Sequence, residues 1–293
     1  MSMRLATTIS PFVRNAPVSV DHYENFPVAS WLCPPALRPA VKAIYWFART
    51  ADDIADEGKA TPDERLADLA AYRSELSAAV SGRPQGDRWR TVFEPLRQVL
   101  ASHRLDPQLL HDLLTAFERD VPNPLHADRD SLLDYCRHSA NPVGRLLLQL
   151  HGLDDEARRR RSDRVCTALQ LINFWQDIGR DAARGRCYVP LADACSAGVA
   201  LADLRPGADT AATRGLLRGL CDWSESLMRE GAPLALQMPG RVGWELRLVV
   251  QGGLRILERI RLMDHATLSH RPALRRLDAP LLLWRAAAMG MAR

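Results

Sequence analysis

Tyr45-Trp46-Phe47-Ala48-Arg49-Thr50-Ala51-Asp52-Asp53-Ile54-Ala55-Asp56-Glu57 is the stretch on which the fold turns. At about 100° per residue, Tyr45, Arg49, Asp52 and Asp56 share a stripe of roughly 60° on one helix face. The run leading into it, Val41 to Ala48, is strongly apolar, so the acids continue a buried segment and not a solvated one. A second stretch far along the chain repeats the design: Gln170-Leu171-Ile172-Asn173-Phe174-Trp175-Gln176-Asp177-Ile178-Gly179-Arg180-Asp181. Here Gln170, Asn173, Asp177 and Asp181 fall on a stripe of roughly 80°. One such helix would suit a satisfied buried polar network. Two oxygen-rich stripes on otherwise apolar helices are costly to bury unless something cationic lies between them. Hard carboxylate ligands suit Mg²⁺, which with only a few carboxylates commonly pairs with a phosphate-bearing substrate.

Working outward, helical patterning covers almost the whole chain, predicting helices at 36–57, 63–81, 88–103, 107–120, 129–151, 155–182, 212–236, 241–266 and 272–291. Prolines stand near helix starts at Pro62 and Pro107, and breaks fall at Gly82-Arg83-Pro84, Pro122-Asn123-Pro124, Gly152, Arg205-Pro206-Gly207 and Pro239-Gly240. Alternating β-type runs are absent. The expected architecture is all-α, one helical bundle over 21–293 with a central cavity between facing helices, preceded by a flexible tail over 1–20.

The 293 residues are 47% hydrophobic and 25% charged, the balance of a globular chain with ample core. A net charge of +4 fits an anionic ligand or acidic membrane surface without calling for nucleic acid, and nucleic acid is not an expected partner. Six scattered cysteines form no Cys-x-x-Cys pair, so reduced thiols are expected in place of disulfides or zinc. No glycine-rich nucleotide motif is present, and NADPH is not expected. No uncharged apolar run reaches the ~18 residues of a membrane span. The expected location is cytoplasmic, with peripheral contact at the inner membrane face as the variant. For that contact the segment Ala279-Pro280-Leu281-Leu282-Leu283-Trp284-Arg285 is the candidate, against the alternative of a final helix packed on the core.

Three further stretches bear on chemistry. Arg184-Gly185-Arg186-Cys187-Tyr188 follows the second acidic stripe as a basic flap; arginines bind phosphate in bidentate fashion, and the glycine between them would let the flap move. Tyr135-Cys136-Arg137-His138-Ser139-Ala140-Asn141-Pro142-Val143-Gly144 places a proline within a helical pattern, with small residues that would let a ligand approach. Asn141 at that break is a candidate polar group in an apolar cavity. His22-Tyr23-Glu24-Asn25-Phe26-Pro27 precedes the first helix, and His22 has no metal-ligand partner by spacing.

Taken together, from about Asp21 to about Arg261, the chain resembles the squalene/phytoene synthase family, the head-to-head branch of the isoprenyl diphosphate synthases. The resemblance rests on Tyr45-x-x-x-Arg49-x-x-Asp52-Asp53-x-x-Asp56, on Tyr135-Cys136 with Val143-Gly144, on Gln170-x-x-Asn173-x-x-x-Asp177-x-x-x-Asp181, and on Arg184-Gly185-Arg186-x-Tyr188-x-Pro190. Within the family, His22-Tyr23-x-Asn25-Phe26-Pro27 and Ala140-Asn141-Pro142-Val143-Gly144 look most like the bacterial hydroxysqualene synthases of hopanoid biosynthesis.

The resemblance implies an isoprenoid synthase fold with Mg²⁺ ions bridging aspartates to a diphosphate. It makes Asp52, Asp56, Asp177 and Asp181 metal ligands with Asp53 in support, and gives the diphosphate to Arg49, Arg184, Arg186 and Tyr188, with His22 assisting. Tyr45, Tyr135, Asn141, Gln170 and Asn173 would line the cavity near the reacting carbons. The implied reaction converts presqualene diphosphate and water to hydroxysqualene and diphosphate. Condensation of two farnesyl diphosphates to presqualene diphosphate or squalene is the nearest alternative. A non-catalytic helical scaffold would be expected to have lost the metal aspartates, and all four are present. Partners implied are the isoprenoid diphosphate, a transiently touched membrane surface and downstream enzymes; no feature sets an oligomeric state.

Overall fold

The computed structural model describes residues 33–83 and 86–291. The expected tail over 1–20 and the whole His22–Pro27 segment lie outside the described residues. Among those described there are helices and turns and no strand, so the all-α expectation holds. The helices are α1 (Arg38–Asp56), α2 (Pro62–Val80), α3 (Arg90–His103), α4 (Pro107–Asp120), α5 (Arg129–Ser139), α6 (Asn141–Leu150), α7 (Glu156–Ala183), α8 (Leu191–Ser196), α9 (Ala211–Gly231), α10 (Leu234–Gln237), α11 (Gly240–Leu262) and α12 (Ala279–Met291).

Two apolar cores organise them. In the first, α1 buries Ala40, Ile44, Phe47, Ala51 and Ala55, one stripe at helical spacing, against α2, α3 and α4. Phe47, Tyr72 and Phe93 form its aromatic centre, and the Tyr72 hydroxyl donates to the Phe47 carbonyl at 3.1 Å. In the second, the 28-residue α7 runs through the middle of α5, α6, α9 and α11. Trp175 is fully buried there and its indole N–H donates to Ser224 Oγ at 2.7 Å, so no polar atom of that ring is stranded.

Helix ends follow local chemistry. Thr61 with Glu64 makes a capping box for α2, and the Asp106, Asp128 and Asp155 side chains cap α4, α5 and α7. The expected continuous helix over 129–151 is instead broken at Ala140, because Pro142 has no N–H to donate and sits in the first turn of a new helix. Pro233 likewise divides the expected 212–236 helix, and the expected 272–291 helix begins only at Ala279. The short α8 was not anticipated.

The small residues around the break serve packing. A Cβ on Gly144 would press on Ser162 Oγ and Cys166 Sγ of α7, so this glycine admits a neighbouring helix, where a ligand's approach had been expected. Gly179 does the same farther along α7: a Cβ there would lie 2.5 Å from the Leu268 carbonyl oxygen, where the 266–268 backbone crosses the helix. Replacing Gly179 with Ala should therefore lower stability by about 1–3 kcal/mol through overpacking, measured by urea or thermal unfolding. Unchanged unfolding would mean that crossing is looser than described.

Candidate active site

Where the two cores meet, α1, α4, α5 and α7 leave a cavity of about 810 Å³. Its wall contains Tyr45, Arg49, Asp52 and Asp56 from α1 and Gln170, Asn173, Asp177 and Asp181 from α7, so both stripes open on one space. Tyr135, with Arg184, Arg186 and Tyr188 from beyond α7, completes the expected part of the lining. The geometry follows from the stripes: on α1 the apolar face at 44, 47, 51 and 55 seats the helix, and the adjoining face is left toward the cavity.

The wall is short of positive charge. Asp52, Asp56, Glu57, Asp120, Asp177 and Asp181 face Arg49, Arg184 and Arg186, six carboxylates against three guanidinium groups. Burial and then the neighbouring Asp56 push the Asp52 carboxyl up to about 6. Burial and then Asp177 push Asp181 up to about 6. Carboxylates crowded in this way bind protons unless another cation takes their place.

Arg49 and Arg186 are committed within the site. Arg49 binds its own helix, contacting Asp52 at 3.1 Å, Asp53 at 2.6 Å and Glu57 at 2.7 Å. Asp53 is not part of the cavity wall and pairs with Arg49. Arg186 pairs with Asp56, tying the segment after α7 to the end of α1. Gly185 makes that reach possible. It takes φ +75°, closing α7 with a left-handed turn in which the Arg186 N–H donates to the Asp181 carbonyl at 2.8 Å. The Asn123 amide donates to the Gly185 carbonyl at 2.8 Å, so this turn is held from a second element.

Three residues missed from sequence belong to the site. Asp120 accepts a hydrogen bond from the Tyr135 hydroxyl at 2.8 Å, and burial pushes its carboxyl up to about 7 against that bond. The signal was present: an acid closing the C-terminal turn of an apolar helix opposes the helix dipole. Arg271 pairs with Asp177, one of its contacts being 3.1 Å, from a segment 94 residues away that no motif marks. His126 lies against Tyr135 and Tyr188, with ring centroids 5.5 and 6.2 Å apart.

The cavity also has an apolar and aromatic lining. Leu113, Ala116, Phe117, Val143 and Phe174 line it, and Tyr188 stacks on Phe174 with centroids 3.8 Å apart. Asn141 departs from expectation. It is buried and absent from the cavity wall, and its side-chain oxygen accepts from Thr167 Oγ1 at 3.0 Å.

The donor set suits divalent ions held jointly by protein and ligand. No three acidic, cysteine or histidine side chains converge to an ion-binding cluster among the described residues, so the wall offers one or two carboxylates per ion. A hard ion that keeps several waters and takes phosphate oxygens needs no more.

A model of the Squalene/phytoene synthase family matches residues 20–278. The chain is 36% identical over 243 residues to a hydroxysqualene synthase of Rhodopseudomonas palustris, covering 82% of this chain and 80% of that protein. It is 45% identical over 172 residues to a hydroxysqualene synthase of Zymomonas mobilis, covering 57% and 54%. Among solved structures it is similar to the squalene synthase HpnC from Alicyclobacillus acidocaldarius, with a TM-score of 0.76 and 38% identity over 83% of this chain and 90% of that one. The chain belongs to the squalene/phytoene synthase family. It is an enzyme of isoprenoid biosynthesis with the isoprenoid synthase fold.

The raised carboxyls set a pH dependence. Asp52, Asp120 and Asp181 hold protons when folded that they release near pH 4 when unfolded. The contribution of these three groups to stability without divalent ions should therefore fall as pH rises from about 4 to 7 and level off above. Asp120→Asn removes one contributor, and should unfold on the order of 1 kcal/mol later than the parent at pH 8, with the gap closing toward pH 5. Thermal melts across this range check it; a variant destabilised at pH 8 would show that Asp120 is held charged without cost.

Proposed function

We propose that the chain ionises presqualene diphosphate and captures the resulting cation with water, giving hydroxysqualene and diphosphate. The observation that carries this reading is the joining of two aspartate-bearing helices on one cavity that Leu113, Ala116, Phe117, Val143, Phe174 and Tyr188 also line. The aspartates suit a diphosphate and the apolar and aromatic side chains a long hydrocarbon.

Asp52 and Asp56 on one side, and Asp177 and Asp181 on the other, would hold Mg²⁺. Bound there, the ions would neutralise the departing diphosphate and so favour carbon–oxygen cleavage. Arg49, Arg184 and Arg186 all line the cavity and would take diphosphate oxygens, Arg49 and Arg186 exchanging their carboxylate partners for phosphate. The faces of Phe174, Tyr135 and Tyr188 supply negative quadrupole to a cyclopropylcarbinyl cation, and the apolar wall excludes bulk water.

One water must still arrive in place. Tyr135 is the cavity hydroxyl best held for that, because Asp120 fixes its orientation. Asn141, bonded to Thr167 behind the wall, supports the α6–α7 junction instead. Tyr135→Phe should accordingly lower formation of the alcohol by about 10²-fold, and shift the remaining turnover toward products without oxygen. Asn141→Ala should cost about 1 kcal/mol of stability while leaving product identity unchanged. The opposite pattern in unfolding and product analysis would return the water to Asn141.

The second reading ends in reduction in place of hydration, favoured by the squalene synthase name of the similar Alicyclobacillus protein. Purified protein given Mg²⁺ and presqualene diphosphate without NADPH, with products identified by mass spectrometry, separates the two. Hydroxysqualene is the expected product. Absence of turnover until NADPH is added, followed by squalene, would establish the reductive reading; presqualene diphosphate accumulating from farnesyl diphosphate would assign the preceding step.

A further inference from the structure

The outward face of α12 is apolar. Ala286 on its inner side is fully buried, Met289 packs on the second core, and Arg285 pairs with Glu258 of α11. The other side presents Leu283 at 54% exposure, Trp284 at 64% and Met291 at 73%, with Pro280 also exposed. Positions 280, 283, 284, 287 and 291 form one stripe at helical spacing, so these residues share a face. The turn before α12 extends it: Leu277 is 89% exposed and Leu274 is exposed beside it.

Charge is arranged around that face with one sign. Between Ser269 and Met291 the chain has a single acid, Asp278, against Arg271, Arg275, Arg276 and Arg285. Asp278 is buried and held by Arg255 and Arg259, so it adds no negative charge outside. Arg271 and Arg285 are occupied by Asp177 and Glu258. Arg275 and Arg276 are exposed, and no ion pair holds either among the described residues.

We propose that this face docks on an anionic lipid bilayer, with α12 lying in the interface plane. Leucines and a tryptophan enter the headgroup–acyl boundary, while Arg275 and Arg276 meet lipid phosphates. No helix among the described residues is long and apolar enough to cross a membrane, and a 13-residue helix of about 20 Å suits lying on one. A second copy of the chain is the competing occupant. A two-fold contact through this patch would gather two copies each of Arg275 and Arg276 in one interface to which this segment brings no exposed acid, which an anionic surface avoids. Leu274 is only three residues, about 10 Å of chain at most, from Arg271, whose guanidinium reaches Asp177 of the cavity wall. The docked face therefore adjoins the cavity, a useful position for an enzyme whose hydrocarbon substrates and products partition into lipid.

Flotation of the full chain with vesicles tests this, comparing phosphatidylcholine alone with a 70:30 mixture of phosphatidylcholine and phosphatidylglycerol. Binding to the anionic vesicles is expected, with salt sensitivity. The double variant Leu283→Glu/Trp284→Glu should abolish binding, and Arg275→Glu/Arg276→Glu should weaken it at least about 30-fold. Both should retain far-UV circular dichroism and turnover of detergent-dispersed substrate, since neither pair touches the cavity. Equal binding to neutral vesicles, or anionic binding unaffected by both variants, would overturn the proposal. Absence of binding, with a dimer in light scattering that the Leu283/Trp284 variant dissociates, would assign the face to a second copy and equally overturn it.

Discussion

Repulsion among carboxylates is the constraint around which the rest is arranged. Six acids share one cavity with three arginines, and like charges at such spacing raise one another's proton affinity unless a cation intervenes. Most buried acid clusters are resolved by pairing, as Asp278 is by Arg255 and Arg259. Here pairing is partial, and the acids come from opposite sides. α1 is anchored in one core and α7 in the other, so the repulsion acts across the boundary between two packed units. Whatever neutralises it also fastens those units together.

That arrangement explains features that would otherwise be unrelated. Arg186 ties the turn after α7 to Asp56, and Arg271 is drawn from a distant segment to Asp177. Arg271, which is not among those three arginines, supplies part of the missing positive charge. The left-handed Gly185 and the cramped Gly179 fix the backbone on which these contacts depend. Behind them, Phe174, Tyr135 and Tyr188 give the cavity a face suited to a carbocation. The proposed capture of diphosphate and protection of a cation thus draw on one shared space.

Much of this was legible in the sequence, for a physical reason. Helical periodicity converts spacing directly into direction, so the stripes at 45, 49, 52 and 56 and at 170, 173, 177 and 181 identified their facing sides without coordinates. The bundle architecture followed from the same periodicity. What escaped depends on long-range packing. Asp120 carries no local motif and acquires its role only when α5 brings Tyr135 to it. Arg271 reaches Asp177 across 94 residues. Asn141 shows the converse: its local setting pointed to the cavity, but the helix break at Ala140 and the close seating of Gly144 on α7 turn it to Thr167. Local signals give a side chain's place on its own element, and tertiary seating decides what it meets.

The central claim is that α1 and α7 act jointly on a diphosphate only through divalent ions. Calorimetric titration of inorganic diphosphate into the protein, with and without Mg²⁺, addresses it directly. The account predicts binding that requires both components and is lost alike in Asp52→Asn and Asp177→Asn, one change from each helix. Diphosphate binding of equal strength in a chelator, borne by the arginines alone, would contradict it.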